Sequence, residues 1–370
     1  MMLTGGTTGR RLLQSFNYPL LGTVLIICGV GVLNLASASR TAHAEVWINQ
    51  GYWLLIGLGV AVLLCSFDYR HLLSLAYPAW LLSVALLVLV LIVGDVHKGA
   101  QRWLDLGPFR FQPSELTKLA VILVLARYYH EKKEPPDGFT IRRLFWPAFL
   151  LLIPVALIMR QPDLGTAMIV LAIGGSILLF AGINRRSLVW VGGLAAVSSS
   201  IGWLFLLREY QRARILAFLN PGGDALGSGY HANQSMIAIG SGGLSGKGWG
   251  EGTQTQLRFL PEQHTDFVFS VWAEEHGFVG SMVVIGLYAV FLIMAIAVAS
   301  QAKDRFGAFL SVGVAVMVFW QVLVNIGMVT GLLPVVGVTL PLISYGGSSV
   351  LTSLAGVGLL LNVSMRRFSF

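Results

Sequence analysis

The chain has 370 residues, 55% of them hydrophobic and 11% charged, where a soluble domain carries about 25% charged residues, so lipid rather than water surrounds most of it. Net charge is +8, but no basic cluster exceeds a pair, which argues against nucleic acid as a partner. Cys28 and Cys65 both fall inside apolar runs, so no disulfide framework is indicated.

Apolar stretches long enough to cross a core about 30 Å thick recur along the chain. They lie at 18–38, 47–66, 72–94, 114–129, 144–160, 164–182, 187–207, 276–299, 307–332 and 348–365. The first follows Arg10 and Arg11 and ends near Ala36-Ser37-Ala38, in the manner of a signal peptide. Its length and the spans after it favour a retained helix. The predicted class is an all-α polytopic membrane protein with ten transmembrane helices, a single domain over 1–370. A long outer loop, 208–265, separates the seventh and eighth helices.

The distribution of basic residues sets the expected orientation. With the N-terminus in the cytoplasm, Arg10, Arg11, Arg70, Arg127, Lys132, Lys133, Arg142, Arg143, Arg185, Arg186, Lys303, Arg305, Arg366 and Arg367 lie inside, 14 of the 25 Lys and Arg. The short outer loops hold only Arg40, Lys98, Arg102, Arg110 and Arg160. Both termini are therefore expected in the cytoplasm.

Two outer connections stand apart. Residues 95–113 carry Lys98, Arg102, Trp103 and Arg110. The loop after span seven is far longer than a helix connection needs, glycine-rich over Pro221–Gly252, with a short interfacial amphipathic helix expected over Tyr230–Ile239. Low charge and flanking aromatics disfavour plain disorder.

In this orientation spans four, six, eight and ten all begin outside, and most begin with an acid. Span four opens Gln112-Pro113-Ser114-Glu115, span six Gln161-Pro162-Asp163, and the approach to span eight His264-Thr265-Asp266-Phe267. Span ten opens Ser344-Tyr345-Gly346-Gly347-Ser348. Proline at the first helical position and an acid in the first turn also suit any helix start. Three features favour function. Lys118 follows Glu115 by three residues, placing acid and base on one helix face. Ionisable groups at membrane depth usually face a cavity or a partner. The acids also gather on one side, and free helix N-termini beside a glycine turn suit an anionic phosphate.

Asp266 is the sharpest candidate. From Asp266 to Ala299 a straight helix would run about 51 Å at 1.5 Å per residue, so the first part must project, bend or re-enter. A break is expected at Glu274-Glu275-His276-Gly277. By spacing, Ser270 and Glu274 share a helical face with Asp266, and Glu274 and Glu275 read as a solvated helix end.

Other motifs fail. Ser241-Gly-Gly-Leu-Ser-Gly246-Lys247-Gly248 mimics a phosphate loop, but Ser241 replaces its first glycine and Gly248 its Ser/Thr. No His/Cys cluster has zinc spacing, and no Asp-x-Asp pair is present. The sequence calls for no cofactor and no metal; it admits a divalent cation without indicating one. Any sugar donor should be lipid-linked.

The stretch Asn325-Ile-Gly-Met-Val-Thr-Gly331-Leu-Leu-Pro334-Val-Val-Gly337-Val-Thr-Leu-Pro341-Leu-Ile-Ser344-Tyr-Gly-Gly347-Ser-Ser349 resembles the signature of the shape, elongation, division and sporulation (SEDS) family. So do the segment Lys98-Gly-Ala-Gln-Arg-Trp103, Arg110-Phe-Gln-Pro-Ser-Glu115, Gln161-Pro-Asp-Leu-Gly-Thr166 and the run Gly248 to Phe267. The likeness is nearer the elongation branch than the division branch.

That resemblance implies polymerisation of lipid II into glycan strands on the outer face of the bacterial cytoplasmic (inner) membrane. The implied partners are a class B penicillin-binding protein and other elongation-complex proteins. The family's essential aspartate falls on Asp266, and further sensitive positions fall on Glu115, Lys118 and Asp163. The 4-hydroxyl of an acceptor sugar must lose a proton as it attacks the donor's anomeric carbon. Asp266 as a single general base suffices for direct displacement with inversion, because pyrophosphate already leaves well. Lys118, Arg102 and Arg110 are candidates to neutralise the pyrophosphate. Glu115 would hold Lys118, Asp163 would bind or orient sugar or a basic side chain, and Trp103 would stack on sugar or anchor the interface. A lipid II flippase and a non-enzymatic scaffold are the rival readings.

Overall fold

A computed structural model describes residues 15–40, 45–97, 100–105, 107, 110–132, 135–207, 209–219, 228–257, 259–260 and 262–367. Lys98, Arg208, Arg258 and the 221–227 part of the glycine-rich stretch lie outside the described residues.

The helices are α1 (Tyr18–Ala38), α2 (Val46–Ser66), α3 (His71–Val93), α4 (Pro113–Glu131), α5 (Ile141–Arg160), α6 (Leu164–Phe180) and α7 (Arg185–Ile201), which runs into a π turn over Gly202–Leu206. Then come α8 (Glu209–Leu219), α9 (Ser228–Ser241), α10 (Thr253–Gln256), α11 (Val268–Ser300), α12 (Arg305–Val329) and α13 (Gly347–Met365). Three short strands, β1 (Asp95–His97), β2 (Ala100–Asp105) and β3 (Arg110–Phe111), form an antiparallel sheet in chain order between α3 and α4.

Each expected span has its helix, so the chain is an all-α, multi-pass membrane protein. Eight helices are long and apolar enough to cross a membrane by themselves. At 17 residues α6 is shorter than those eight, and α4 carries Glu115, Lys118 and Arg127 along its length. Those two are buried along most of one side or more, so neighbouring helices rather than lipid solvate them.

Side-chain caps mark several starts. Asn17 Oδ1 accepts from Leu20 N (3.1 Å), Asp163 Oδ1 from Thr166 N (3.2 Å) and Asp304 Oδ1 from Gly307 N (2.8 Å), each satisfying an orphan donor of a helix first turn.

The bundle is layered by burial. In α13, 89% of the spanning window is buried, against 6% in α7. Lipid offers no hydrophobic gain over protein, so close approach at small residues decides which helices pack. A Cβ at Gly358 of α13 would lie 2.7 Å from Ala61 Cα on α2, and one at Gly313 of α12 would lie 2.3 Å from Ile122 Cγ2 on α4.

The predicted break in α11 falls at Gly277, with φ 64° and ψ −159°. Broken here, the helix leaves carbonyls before the kink and N–H groups after it without helical partners. The glycine loop 241–248 supplies them. Lys247 N donates to Glu274 O (3.1 Å) and Gly248 N to Glu275 O (3.0 Å), while Phe278 N donates to Gly243 O (2.8 Å) and Val279 N to Leu244 O (3.1 Å). The approach is so close that a Cβ at Gly246 would sit 2.1 Å from Glu275 O. The segment that mimics a phosphate loop is thus the complement of a broken helix.

The expectation of a solvated end at Glu274 and Glu275 is overturned, since the two are 0% and 1% exposed. Glu274 lies 2.7 Å from Lys247 Nζ and accepts from Gln254 N (2.9 Å), Thr255 N (3.2 Å) and Thr255 Oγ1 (3.0 Å), which caps α10. Glu275 accepts from Ser37 Oγ of α1. Solvation at these two positions comes from protein donors that lie distant in sequence.

The outer loop is more structured than its glycine content suggests. The expected interfacial helix is part of α9, where Ser235 Oγ is 2.7 Å from Ser270 Oγ and donates to Val329 O at 2.7 Å. Helix α9 therefore packs onto α11 and α12.

Candidate active site

Helix α4 carries the most buried ion pair of the chain's described residues. Lys118 Nζ is 2.8 Å from both Glu115 oxygens, with side chains 2% and 8% exposed. The three-residue spacing that suggested a shared face does bring them together. Neither charge is tolerable at that depth without the other.

One helical turn earlier, Gln112 joins this pair to a second cluster. Its Nε2 donates to Asp163 Oδ2 (3.1 Å), which also accepts from Thr166 Oγ1 (3.0 Å). Arg102 on β2 reaches the same carboxylate, with Nη1 3.8 Å from Oδ1. Its guanidinium is further fixed by donating to Gln161 O (3.3 Å) and Pro162 O. Asp163 is thus both the cap of α6 and the partner of a basic side chain, and the structural and functional readings of this residue coexist.

Asp266 lies in the turn before α11 rather than on the helix, so the face it was expected to share with Ser270 and Glu274 begins only at Val268. Asp266 is half-buried. Asn325 on α12 fixes its backbone, donating through Nδ2 to Asp266 O (2.9 Å) and Val338 O (2.7 Å). The carboxylate faces Gly337, which has φ +72° and where a Cβ would lie 3.2 Å from Asp266 Oδ2.

Residues 331–346, between α12 and α13, tie these parts together. Ser344 Oγ donates to Thr265 O (2.6 Å) and Tyr345 N to His264 O (2.9 Å), holding the strip against the turn that bears Asp266. Val336 O meets Gly165, two residues after Asp163, where a Cβ would approach to 2.5 Å. Thr339 Oγ1 is 2.9 Å from Ser349 Oγ, and Ser348 Oγ accepts from Gln112 N at 3.1 Å. Asp266 and the Asp163 turn therefore border one strip of backbone, and Gln112, one turn before the Glu115–Lys118 pair, meets the start of α13 that follows it.

Trp103 is half-buried on β2 opposite Asp95, and Arg110 is exposed on β3 opposite Asp105. Sequence reasoning gave no role to Asn325, Ser344 and Ser348, although all three stand in the signature stretch quoted above. It also missed Arg214 and Gln211 of α8, which with Arg102, Pro162, Leu164, Ile215, Pro334 and Val336 line a cleft beside the strip. Among the described residues no three His, Cys, Asp or Glu side chains gather as metal ligands.

These features define a multi-pass membrane protein with buried ion pairs and an anchored aspartate at one end of its bundle. The model of the FtsW/RodA/SpoVE family of cell cycle proteins matches residues 12–368. Peptidoglycan glycosyltransferase MrdB of Escherichia coli K12 is 43% identical over 343 residues, which are 93% of this chain and 91% of that protein. A probable peptidoglycan glycosyltransferase FtsW of Trichlorobacter lovleyi is 40% identical, covering 95% and 94%. Among solved structures, a chain from a peptidoglycan synthase complex that coordinates polymerization and crosslinking superposes with a TM-score of 0.82 at 37% identity, covering 96% of this chain and 99% of that one. The rod shape determining protein RodA of Thermus thermophilus gives 0.72 at 35% identity, covering 96% and 98%. The chain belongs to the FtsW/RodA/SpoVE family and is a peptidoglycan glycosyltransferase of the elongation type.

Proposed function

We propose that this enzyme polymerises lipid II into glycan strands with Asp266 as the general base. The acceptor's 4-hydroxyl oxygen forms a bond to the donor's anomeric carbon, and its proton passes to the Asp266 carboxylate. The bond from that carbon to the pyrophosphate oxygen breaks with its electron pair, so one displacement inverts the anomeric centre. The observation that carries this reading is the placement of Asp266. Its backbone is held by Asn325, its carboxylate is turned to Gly337, and the strip it borders also meets Gly165, beside Asp163 and its partner Arg102.

Lys118, Arg102 and Arg110 supply positive charge for the leaving group, which gains charge in the transition state. Glu115 holds Lys118 at 2.8 Å, Asp163 orients Arg102, and Trp103 contributes a sugar-facing or interfacial ring. The whole chain acts as one domain, and the outer loop 208–265 forms part of the site. The site faces outward from the cytoplasmic membrane with both termini inside, supported by the distribution of Lys and Arg. The class B penicillin-binding protein implied by the family would crosslink the strands, in keeping with the synthase complex of the solved neighbour.

The test is turnover of lipid II by purified protein in detergent, alone or with its transpeptidase partner. Polymer is expected from the natural chain. In Asp266→Asn, which keeps size but not basicity, turnover should fall at least about 10²–10⁴-fold. No polymer from a partner-bound natural chain that flips lipid II in vesicles would instead make it a transporter. A cysteine at Ser228 should react with an impermeant reagent in intact spheroplasts; labelling only after lysis would reverse the orientation.

A further inference from the structure

The end of the bundle opposite Asp266 carries arginines of two kinds. Arg70 pairs with Asp304 (3.3 Å) and Arg127 with Glu131 (2.8 Å), while Arg305 donates to Lys132 O (3.3 Å) and Arg366 to Cys65 O (3.1 Å). Arg142, Arg143, Arg185 and Arg186 differ. All four are exposed, and among the described residues their guanidiniums meet neither a carboxylate nor another acceptor. In the connection before α5, Lys132 and Lys133 already offset Glu134 and Asp137, so the arginine charge is left over.

The fold gathers these four. Phe139 N donates to Gly182 O (2.8 Å) and Asn184 N to Phe139 O (3.1 Å), an isolated parallel bridge between the connections that precede α5 and α7. Asn184 Nδ2 adds a bond to Asp137 O (3.0 Å). Only glycine allows this approach, since a Cβ at Gly138, with φ +79°, would lie 2.9 Å from Gly182 O. Phe139 is buried and packs edge-on against Tyr129 at 5.1 Å, which anchors the bridge in the core. Helix α5 begins at Ile141 and α7 at Arg185, each two residues past a bridge partner. Their first turns therefore start in parallel about one helix diameter, ~10 Å, apart. Arg142 and Arg143 lie on one, Arg185 and Arg186 on the other.

Deeper along both helices the same faces turn apolar. Trp146 and Phe149 follow Arg142 by four and seven residues, and Trp190 follows Arg186 by four. All three rings are exposed, and Trp146 stacks on Phe149 at 5.3 Å. Almost none of the spanning length of α7 is buried by protein. A soluble acidic segment would leave those rings uncovered. A phosphate carried on acyl chains meets both parts, with its charge at the arginines and its chains on the rings. The 20 residues of α5 put the patch about 30 Å from the Asp163 turn, so it lies outside the candidate active site and in the other leaflet.

We propose that the paired starts of α5 and α7 form a binding site for an anionic glycerophospholipid. Arg142, Arg143, Arg185 and Arg186 hold its phosphate, and its acyl chains lie on Trp146, Phe149 and Trp190. Guanidinium forks pair bidentately with phosphate oxygens, and basic clusters at a membrane surface draw anionic lipid. In the orientation proposed above the lipid comes from the cytoplasmic leaflet. It seats α7, which protein contacts leave largely uncovered.

The experiment titrates phosphatidylglycerol into the full-length protein in neutral detergent micelles, reading bound lipid by native mass spectrometry and stability as Tm. The natural chain should retain phosphatidylglycerol in preference to phosphatidylcholine and gain Tm as it binds. Each arginine removed should cost about fivefold in affinity, so Arg142→Gln and Arg186→Gln lose about fivefold each and the quadruple Gln variant about 10²–10³-fold. Arg70→Gln and Arg127→Gln, at the same end but already paired, should leave affinity unchanged. The quadruple Lys variant, which keeps the charge but not the forks, should bind between the natural chain and the quadruple Gln variant.

Equal losses in Arg127→Gln and Arg142→Gln would overturn the site, leaving only a diffuse attraction of the whole surface. Equal retention of the two lipids by the natural chain would overturn it as well. Displacement of the lipid by equimolar glycerol phosphate or polyglutamate would give the patch instead to a soluble anion or an acidic protein segment. Where the quadruple Gln variant fails to fold, the single variants decide.

Discussion

The two ends of the bundle use polar residues in different ways. At the end bearing Asp304 and Arg366, they close helices. Asp304 caps α12 through Gly307 N and accepts from Tyr69 OH at 2.7 Å. Arg366 and Asn362 of α13 donate to the last carbonyls of α2 and the residues after it, including Cys65 O at 3.1 Å and Phe67 O at 2.8 Å. Burial of the Tyr69 ring, with Asp304 beside it, pushes its hydroxyl pKa above the usual value, so it stays a donor at any physiological pH. Asp304, Asn362 and Arg366 there answer backbone atoms at helix ends, and Tyr69 and Arg70 hold Asp304 in place.

At the opposite end the polar groups exceed what helix closure needs. Lys118 and Glu115 pair with each other, Arg102 is held by carbonyls and reaches Asp163, and Asn325 fixes the backbone of Asp266. Buried charges cost several kcal/mol each unless matched. At this end the buried charges form an ion pair, Glu115 with Lys118, whereas at the other the buried Arg366 donates to Asn362 and a backbone carbonyl. Backbone irregularity follows the same division, with the Gly277 break and the 331–346 strip both at the charged end.

This contrast can be broken in graded steps. Exchanging Asp266 for Asn should give the largest change in activity, about 10²–10⁴-fold, with Tm nearly constant. Equal loss of Tm and turnover would place Asp266 among the helix-closing residues. Next come Lys118→Ala and Glu115→Ala. Each leaves one buried charge unmatched, so the double variant should lose far less than the sum of the singles. A double-mutant cycle on turnover that closes additively would show that the two side chains work apart.

Glu274→Ala should act on stability first. It removes the acceptor of Lys247 and of the α10 backbone, worth about 3–5 kcal/mol for a buried charged group whose partners are stranded. Read as Tm in detergent, a shift no larger than that of Asp304→Ala would mean that the loop clamp contributes little. The smallest effect is expected at Asp304. Loss of a helix cap costs about 1 kcal/mol, so Asp304→Ala should lower Tm slightly and leave turnover per folded molecule as it was. A loss of turnover without a loss of Tm would erase the distinction between the two ends.

Much of this was legible in the residues. Apolar length located all ten helices, because the bilayer sets how many residues a span needs. The pairing of Glu115 with Lys118 followed from a three-residue spacing, and the break near Gly277 from a helix too long for its membrane. Those are local properties, carried by a dozen neighbouring residues. The burial of Glu274 was not local. It reads as an exposed acid until Lys247, Thr253 and Thr255 are folded over it, and their approach depends on a loop that fits only a helix already broken. Likewise, nothing in the order of residues puts Asp266 against Gly337 or Arg214 beside Arg102. The sequence by itself determined the spans, the acids and the point of fracture, since periodicity, charge and glycine act within a few residues. Which of those charges meet was decided only by the tertiary structure, because desolvation and ion pairing depend on distances between segments that the chain visits far apart.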